Sequence, residues 1–189
     1  AWVALITIIL ITNLIYTSVI VPMFNKLTPL EDGSLKEKID ALAIKTDYAV
    51  DRISIMDASK RSSKLNAFFA GFGKVKKIVL YDTLVDKMSD EEIVAVLAHE
   101  IGHNKRHHII YNLIQMVITL SIYVGVFMLV LNDSFSTAFG FEQQHFGFAI
   151  IMFTVLITPI STLIGVFTSK LSRTFEYQAD EYAAIQTDK

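Results

Sequence analysis

Five consecutive residues, His99-Glu100-Ile101-Gly102-His103, have the types and the spacing to hold a metal ion and to use it. On a helix, four residues advance by about 400° and ~6 Å, so the two imidazoles project from nearly one face and can meet a single ion. Glu100 falls on the adjoining face. From there its carboxylate can take a proton from a water that a zinc ion has acidified to a pKa of about 7, without being a ligand itself. The chain contains no cysteine, which excludes thiolate ligands and a disulfide framework and leaves imidazoles and carboxylates as the strong ligands.

A catalytic zinc of this kind has three protein ligands and one open position. Asn104 to His108 does not supply the H-x-x-G-x-x-H continuation that would put a third histidine on the same segment. Farther along, Glu176 and Asp180 stand at i and i+4, one helical face, with Glu176 suited to be the ligand and Asp180 to accept the N–H of a ligand imidazole. The expectation is one Zn2+ per chain on His99, His103 and Glu176, with Glu100 as general base. His107 and His108 read instead as a basic, wet helix end beside Lys105 and Arg106. Arg173 suits either snorkelling at a membrane face, the ordinary use of such a position, or holding a substrate carboxylate.

The elements that must carry these residues can be read as well. Ser89 with Glu92 makes a capping box that opens a helix through Ile93, Val96 and Leu97 into the His99–His103 segment, which raises the specificity of the motif. Ser34 with Glu37 predicts a second capped helix, with Leu35, Ile39, Leu42 and Ala43 at helical spacing. Ala49 to Met56 is β-branched and partly alternating, which predicts a strand; Asn66 to Phe72 and Val75 to Tyr81, around Gly73-Lys74, predict a hairpin. Residues 24–108 therefore form a compact α+β region.

At 52% hydrophobic residues and a mean hydropathy of +0.46, the chain is too apolar for an ordinary soluble domain. Crossing about 30 Å of hydrocarbon takes roughly 20 helical residues, and three runs qualify: 1–23, 109–131 and 146–169. Pro159 should kink the third, its freed carbonyl being satisfied by a neighbour or by Thr158 or Ser161. None of the 17 Lys and Arg falls in the loop 132–145, whose charges are Asp133 and Glu142. Lys26, Lys105, Arg106, Lys170 and Arg173 flank the spans, which puts 24–108 and 170–189 on the cytoplasmic side and the loop outside. Two crossings separate His103 from Glu176 and return the chain to the side it left, whereas Glu142 sits on the opposite side. A formal net charge of −2 gives no reason to expect a nucleic-acid partner; membrane lipid and a peptide are the partners implied. The chain starts within an apolar run and stops shortly after a polar helix begins, so a fragment of a longer protein is expected.

Several stretches, in this order, resemble the M48 metallopeptidases and within them the Ste24-type CAAX prenyl proteases. They are Ser59 to Ser63, Asn66-Ala67-Phe68-Phe69, Lys77 to Leu84, Val94 to His103 and Arg173 to Asp180. The resemblance implies a mainly α-helical integral membrane protein with a small α+β zincin-like catalytic insert, a metalloendopeptidase acting on CAAX-type C-terminal, prenylated peptides. It implies zinc on His99, His103 and Glu176, Glu100 as base and Asp180 as buttress of a ligand. It also implies that Asn66, Ala67 and Phe68 form the edge on which an extended substrate pairs. A multi-pass location follows from it, in the endoplasmic reticulum of a eukaryote or the inner or plasma membrane of a bacterium. Two other readings stay open: an HtpX-like quality-control protease, and a non-catalytic scaffold that keeps zinc for stability. An intact Glu100 speaks against the scaffold, since a structural zinc needs no base.

Overall fold

The computed structural model describes residues 25–60, 63–70 and 76–187, together with the helical Ala4, Thr7, Ile8, Ile11 and Thr12. The rest of the expected span 1–23 and the hairpin tip at Gly73-Lys74 lie outside the described residues. The chain folds as two units, residues 1–106 with 177–189, and residues 107–176.

The first unit is built on a four-stranded mixed sheet in the order β1-β2-β4-β3, where β1 is Leu27–Pro29, β2 Val50–Met56, β3 Ala67–Ala70 and β4 Lys76–Tyr81. The expected hairpin is the antiparallel pair β3–β4, in register Ala67↔Leu80. The sequence did not reveal that β2 runs parallel to β4, with Ile53 opposite Ile78. Nor did it reveal β1, which is three residues long and ends in a proline, the kind of strand that an edge tolerates. Alternation divides β4 between two faces. Ile78 and Leu80 join a core with Ile39 and Leu42 of helix α1 (Ser34–Lys45), while Val79 packs with Met56 and Ala58 on the other side.

After the short α2 (Asp82–Val85), helix α3 (Asp90–Lys105) lays Ile93, Leu97 and Ile101 into the first core, each essentially buried. These are i, i+4 and i+8, one stripe, which turns the His99–His103 segment partly outward. The capping box that opens α3 has both of its bonds: Glu92 N–H donates to Ser89 Oγ at 3.3 Å, and Ser89 N–H to Glu92 Oε2 at 2.8 Å. The other expected box does not form. The N-cap of α1 is Gly33, and Ser34, already inside the helix, gives its hydroxyl to Asp90 Oδ2 at 2.5 Å. A tertiary bond to the start of α3 has replaced the local one.

The second unit contains α4 (His108–Val130), α5 (Asp133–Ala138) and α6 (Phe146–Thr187) up to Glu176. Helices α4 and α6 are long and apolar enough to cross a membrane. They leave Ile114, Ile118, Ile151, Val155 and Phe167 exposed, and they meet through an edge-on contact of Phe127 with Phe153. His107, at φ 58°, breaks the chain between α3 and α4 in the left-handed conformation that histidine tolerates better than most residues. The expected loop 132–145 contains a helix, α5, because Asn132 Oδ1 accepts from Ser134 N–H and caps it. Above all, the run 146–169 and the helix carrying Glu176 are one unbroken helix. No glycine or proline separates Lys170 from Glu176, so nothing in the residues stops it. Around Pro159, the hydroxyls of Thr158 and Ser161 bond to the carbonyls of Thr154 and Thr158 rather than to the one the proline frees.

Candidate metal centre

Two helices bring the chemistry together. On α3, His99 and His103 lie one turn apart and half-buried, their rings in an edge contact at 4.8 Å and their Nε2 atoms 3.0 Å from each other. On α6, Asp180 Oδ1 lies 2.8 Å from His99 Nδ1. An aspartate at that ring nitrogen keeps its proton there and leaves Nε2 with its lone pair directed toward His103.

The approach of α6 to α3 depends on Gly102. A Cβ built on it would stand 3.1 Å from Tyr182 Cβ, 3.2 Å from Ala179 Cα and 3.3 Å from Ala179 O, so any side chain here meets backbone. Ala179 and Ala183, four residues apart and buried, present the matching small face. Arg106 to Glu181 at 3.3 Å and Lys45 Nζ to the Gln186 carbonyl at 2.7 Å hold the same stretch of α6 farther along.

Glu176 is the last residue of the second unit, one turn before Asp180 and on the same face of α6. Its carboxylate and the two imidazoles each bring one ligand atom within 4.8 Å of the others. The donor set suits a catalytic zinc, two imidazoles and a carboxylate with one position open. The spacing suits it too: nitrogens ~2.05 Å from a tetrahedral ion are about 3.4 Å apart, within a few tenths of the separation of His99 and His103. Glu142, exposed in the segment between α5 and α6, is not in the cluster.

Glu100 points to a neighbour that sequence reasoning missed. Burial pushes the Tyr48 phenol up to about 12, and the nearby Glu100 carboxylate adds to the shift. Tyr48 also packs edge-on against Phe69 of β3, ring centres 5.0 Å apart. The sequence offers only an aromatic after Asp47, too weak a signal to single out. The expected wet histidine pair also needs correcting. His107 is exposed, but His108 is 2% exposed and stacks on Phe175 at 4.2 Å, the residue before Glu176. Of the expected substrate edge, Ala67 is buried, Phe68 half-buried and Asn66 exposed, and β3 pairs with β4 alone among the described residues.

Residues 29–189 match the family described as Peptidase family M48. The chain belongs to peptidase family M48. It is 42% identical over 177 residues to a CAAX prenyl protease 1 homolog of Oryza sativa, covering 92% of this chain and 41% of the relative. To CAAX prenyl protease 1 of Saccharomyces cerevisiae it is 41% identical over 184 residues, 87% of this chain and 40% of the relative. The crystal structure of S. mikatae Ste24p superposes with a TM-score of 0.77 at 39% identity, over 96% of this chain and 45% of that one. The M48 chain thus spans about two fifths of the length of the curated relatives it matches.

Proposed function

We propose that this chain is the central catalytic part of a membrane-embedded zinc metalloendopeptidase, with CAAX-type C-terminal, prenylated peptides as its substrate class. One observation carries the reading: His99, His103 and Glu176 converge while Glu100, beside His99 on α3, stays outside the ligand cluster. Membership of M48 supports a peptidase, and the names of the relatives support the CAAX class.

Bound by these three residues, a zinc ion would supply a Lewis acid that acidifies water and polarises a peptide carbonyl. The protein's part is to place groups around it. Asp180 fixes the tautomer and the ring plane of His99. Glu100 takes the proton of the attacking water and hands it to the leaving amine, the standard work of a general base that later acts as acid. The open side of β3, at Asn66, Ala67 and Phe68, pairs with an extended substrate and carries it along α3, against which β3 lies. Tyr48, protonated at every working pH, keeps an uncharged group beside Glu100.

In this reading α4 and the Phe146–Ser169 part of α6 are transmembrane, with 24–108 and 170–189 on the cytoplasmic side. Exposed apolar side chains along α4 and α6 support it, because lipid is the solvent such faces require. The test is removal of the metal. A chelator should stop cleavage of a prenylated CAAX peptide by the intact, reconstituted protein, and stoichiometric Zn2+ should restore it. Cleavage that continues in metal-free protein would overturn the proposal.

A further inference from the structure

Within the second unit lies a polar, largely open cavity of about 500 Å³ that the proposed hydrolysis does not explain. Asn112 and Gln115 of α4 line it, with Thr168, Ser172, Arg173 and Glu176 of α6, and every side chain on its wall is polar. Asn112 and Gln115 lie within the apolar run 109–131, and Thr168 and Ser169 at the end of 146–169. These two helices otherwise show Ile, Val, Leu and Phe outward, and polar groups inside such spans mark a ligand or a water-filled path by default.

Arg173 is the centre of the argument. It is exposed, and among the described residues its side chain makes no ion pair and no hydrogen bond. Ser169, Arg173, Glu176 and Asp180 follow one another at spacings of three or four, so one stripe of α6 leads from the cavity to the aspartate on His99. A carboxylate fits the planar fork of the guanidinium with two parallel hydrogen bonds, and the one acid that shares the lining, Glu176, would have its charge taken up by the metal in the proposed site. The amides of Asn112 and Gln115 can donate to the oxygen lone pairs that remain.

We propose that this cavity receives the free C-terminal carboxylate of the peptide substrate and that Arg173 is its anchor. The inference rests on the peptidase reading above and deepens it. From Arg173 to Glu176 the helix rises ~4.5 Å, and a side chain adds a similar reach, so the anchored carboxylate lies roughly two to four extended residues from the metal centre. The site thereby selects substrates by distance from the chain end.

The experiment compares two peptides of one sequence, one ending in a free carboxylate and one in an amide, cleaved by the intact protein in phosphatidylcholine vesicles. The wild type should show a KM about 10-fold lower for the acid, the usual scale of a charge-assisted hydrogen-bond pair. Arg173→Gln should abolish that preference, by raising KM for the acid rather than by lowering kcat, and Arg173→Lys should retain part of it. Equal KM values for acid and amide in the wild type would overturn the proposal. So would an Arg173→Gln effect equal on both peptides, which is what a purely structural arginine gives. If the Arg173 effect appeared only with phosphatidic acid in the vesicles, the anion held would be a lipid phosphate, and the proposal would fail. A wild type that cleaves neither peptide would remove the peptidase reading itself, and this inference with it.

Discussion

Asp180 shows how one side chain can govern a site without touching the metal. Its 2.8 Å contact with His99 Nδ1 sets which imidazole nitrogen carries the proton, and so which one is left to bind. Replacing it with alanine should weaken zinc binding by about 10-fold to 100-fold, the usual cost of losing a ligand's hydrogen-bond partner. A zinc titration against a competing chelator would measure this, and an unchanged affinity would show that His99 is oriented by something else. At this scale the sequence was largely legible, because H-E-x-x-H and E-x-x-x-D fix spacing along helices and helical spacing translates directly into shared faces. It was silent on Tyr48 and His108. Their places depend on which elements pack together, Tyr48 on Phe69 and His108 on Phe175, and no local pattern encodes that.

Among the elements, α3 and the end of α6 matter most, and their closeness rests on Gly102. Gly102→Val would press a branched side chain into Ala179 and Tyr182, forcing the helices apart and carrying Asp180 away from His99. The expected result is a stability loss of about 1–3 kcal/mol in the first unit, together with weakened zinc affinity; melting and zinc titration on one preparation would show both. Retained affinity at normal stability would mean that α6 approaches α3 differently. The motif gives this glycine no special status, since both of its x positions accept many residues. Capping was read correctly at Ser89, where the bonds are local, and wrongly at Ser34, where Asp90 of another helix takes the hydroxyl. The β2–β4 pairing was hidden for the same reason: parallel neighbours are joined by no turn that a sequence could display.

For the molecule as a whole, the reading depends on which side of a membrane each part occupies. This chain has no cysteine, so within it an introduced cysteine is the one that reacts. Ser136 is fully buried and unsuitable, but Ser134 on α5 and Ser63 before β3 are exposed. A cysteine at 134 should react only with reagent outside and one at 63 only with reagent on the cytoplasmic side. Reaction of both from one side would remove the topological reason for choosing Glu176 over Glu142. The apolar runs were legible from composition, yet the sequence divided α6 at Lys170 where the chain has no break, because a change in polarity is not a stop signal. The central claim, that His99, His103 and Glu176 hold zinc while Glu100 moves the proton, is tested most directly by measuring zinc per chain alongside peptide hydrolysis for Glu100→Gln and Glu176→Ala in the intact protein. Glu100→Gln should keep one zinc and lose hydrolysis by at least about 100-fold, and Glu176→Ala should lose both together. Glu100→Gln turning over normally with its zinc in place, or Glu176→Ala binding zinc as tightly as the wild type, would contradict it.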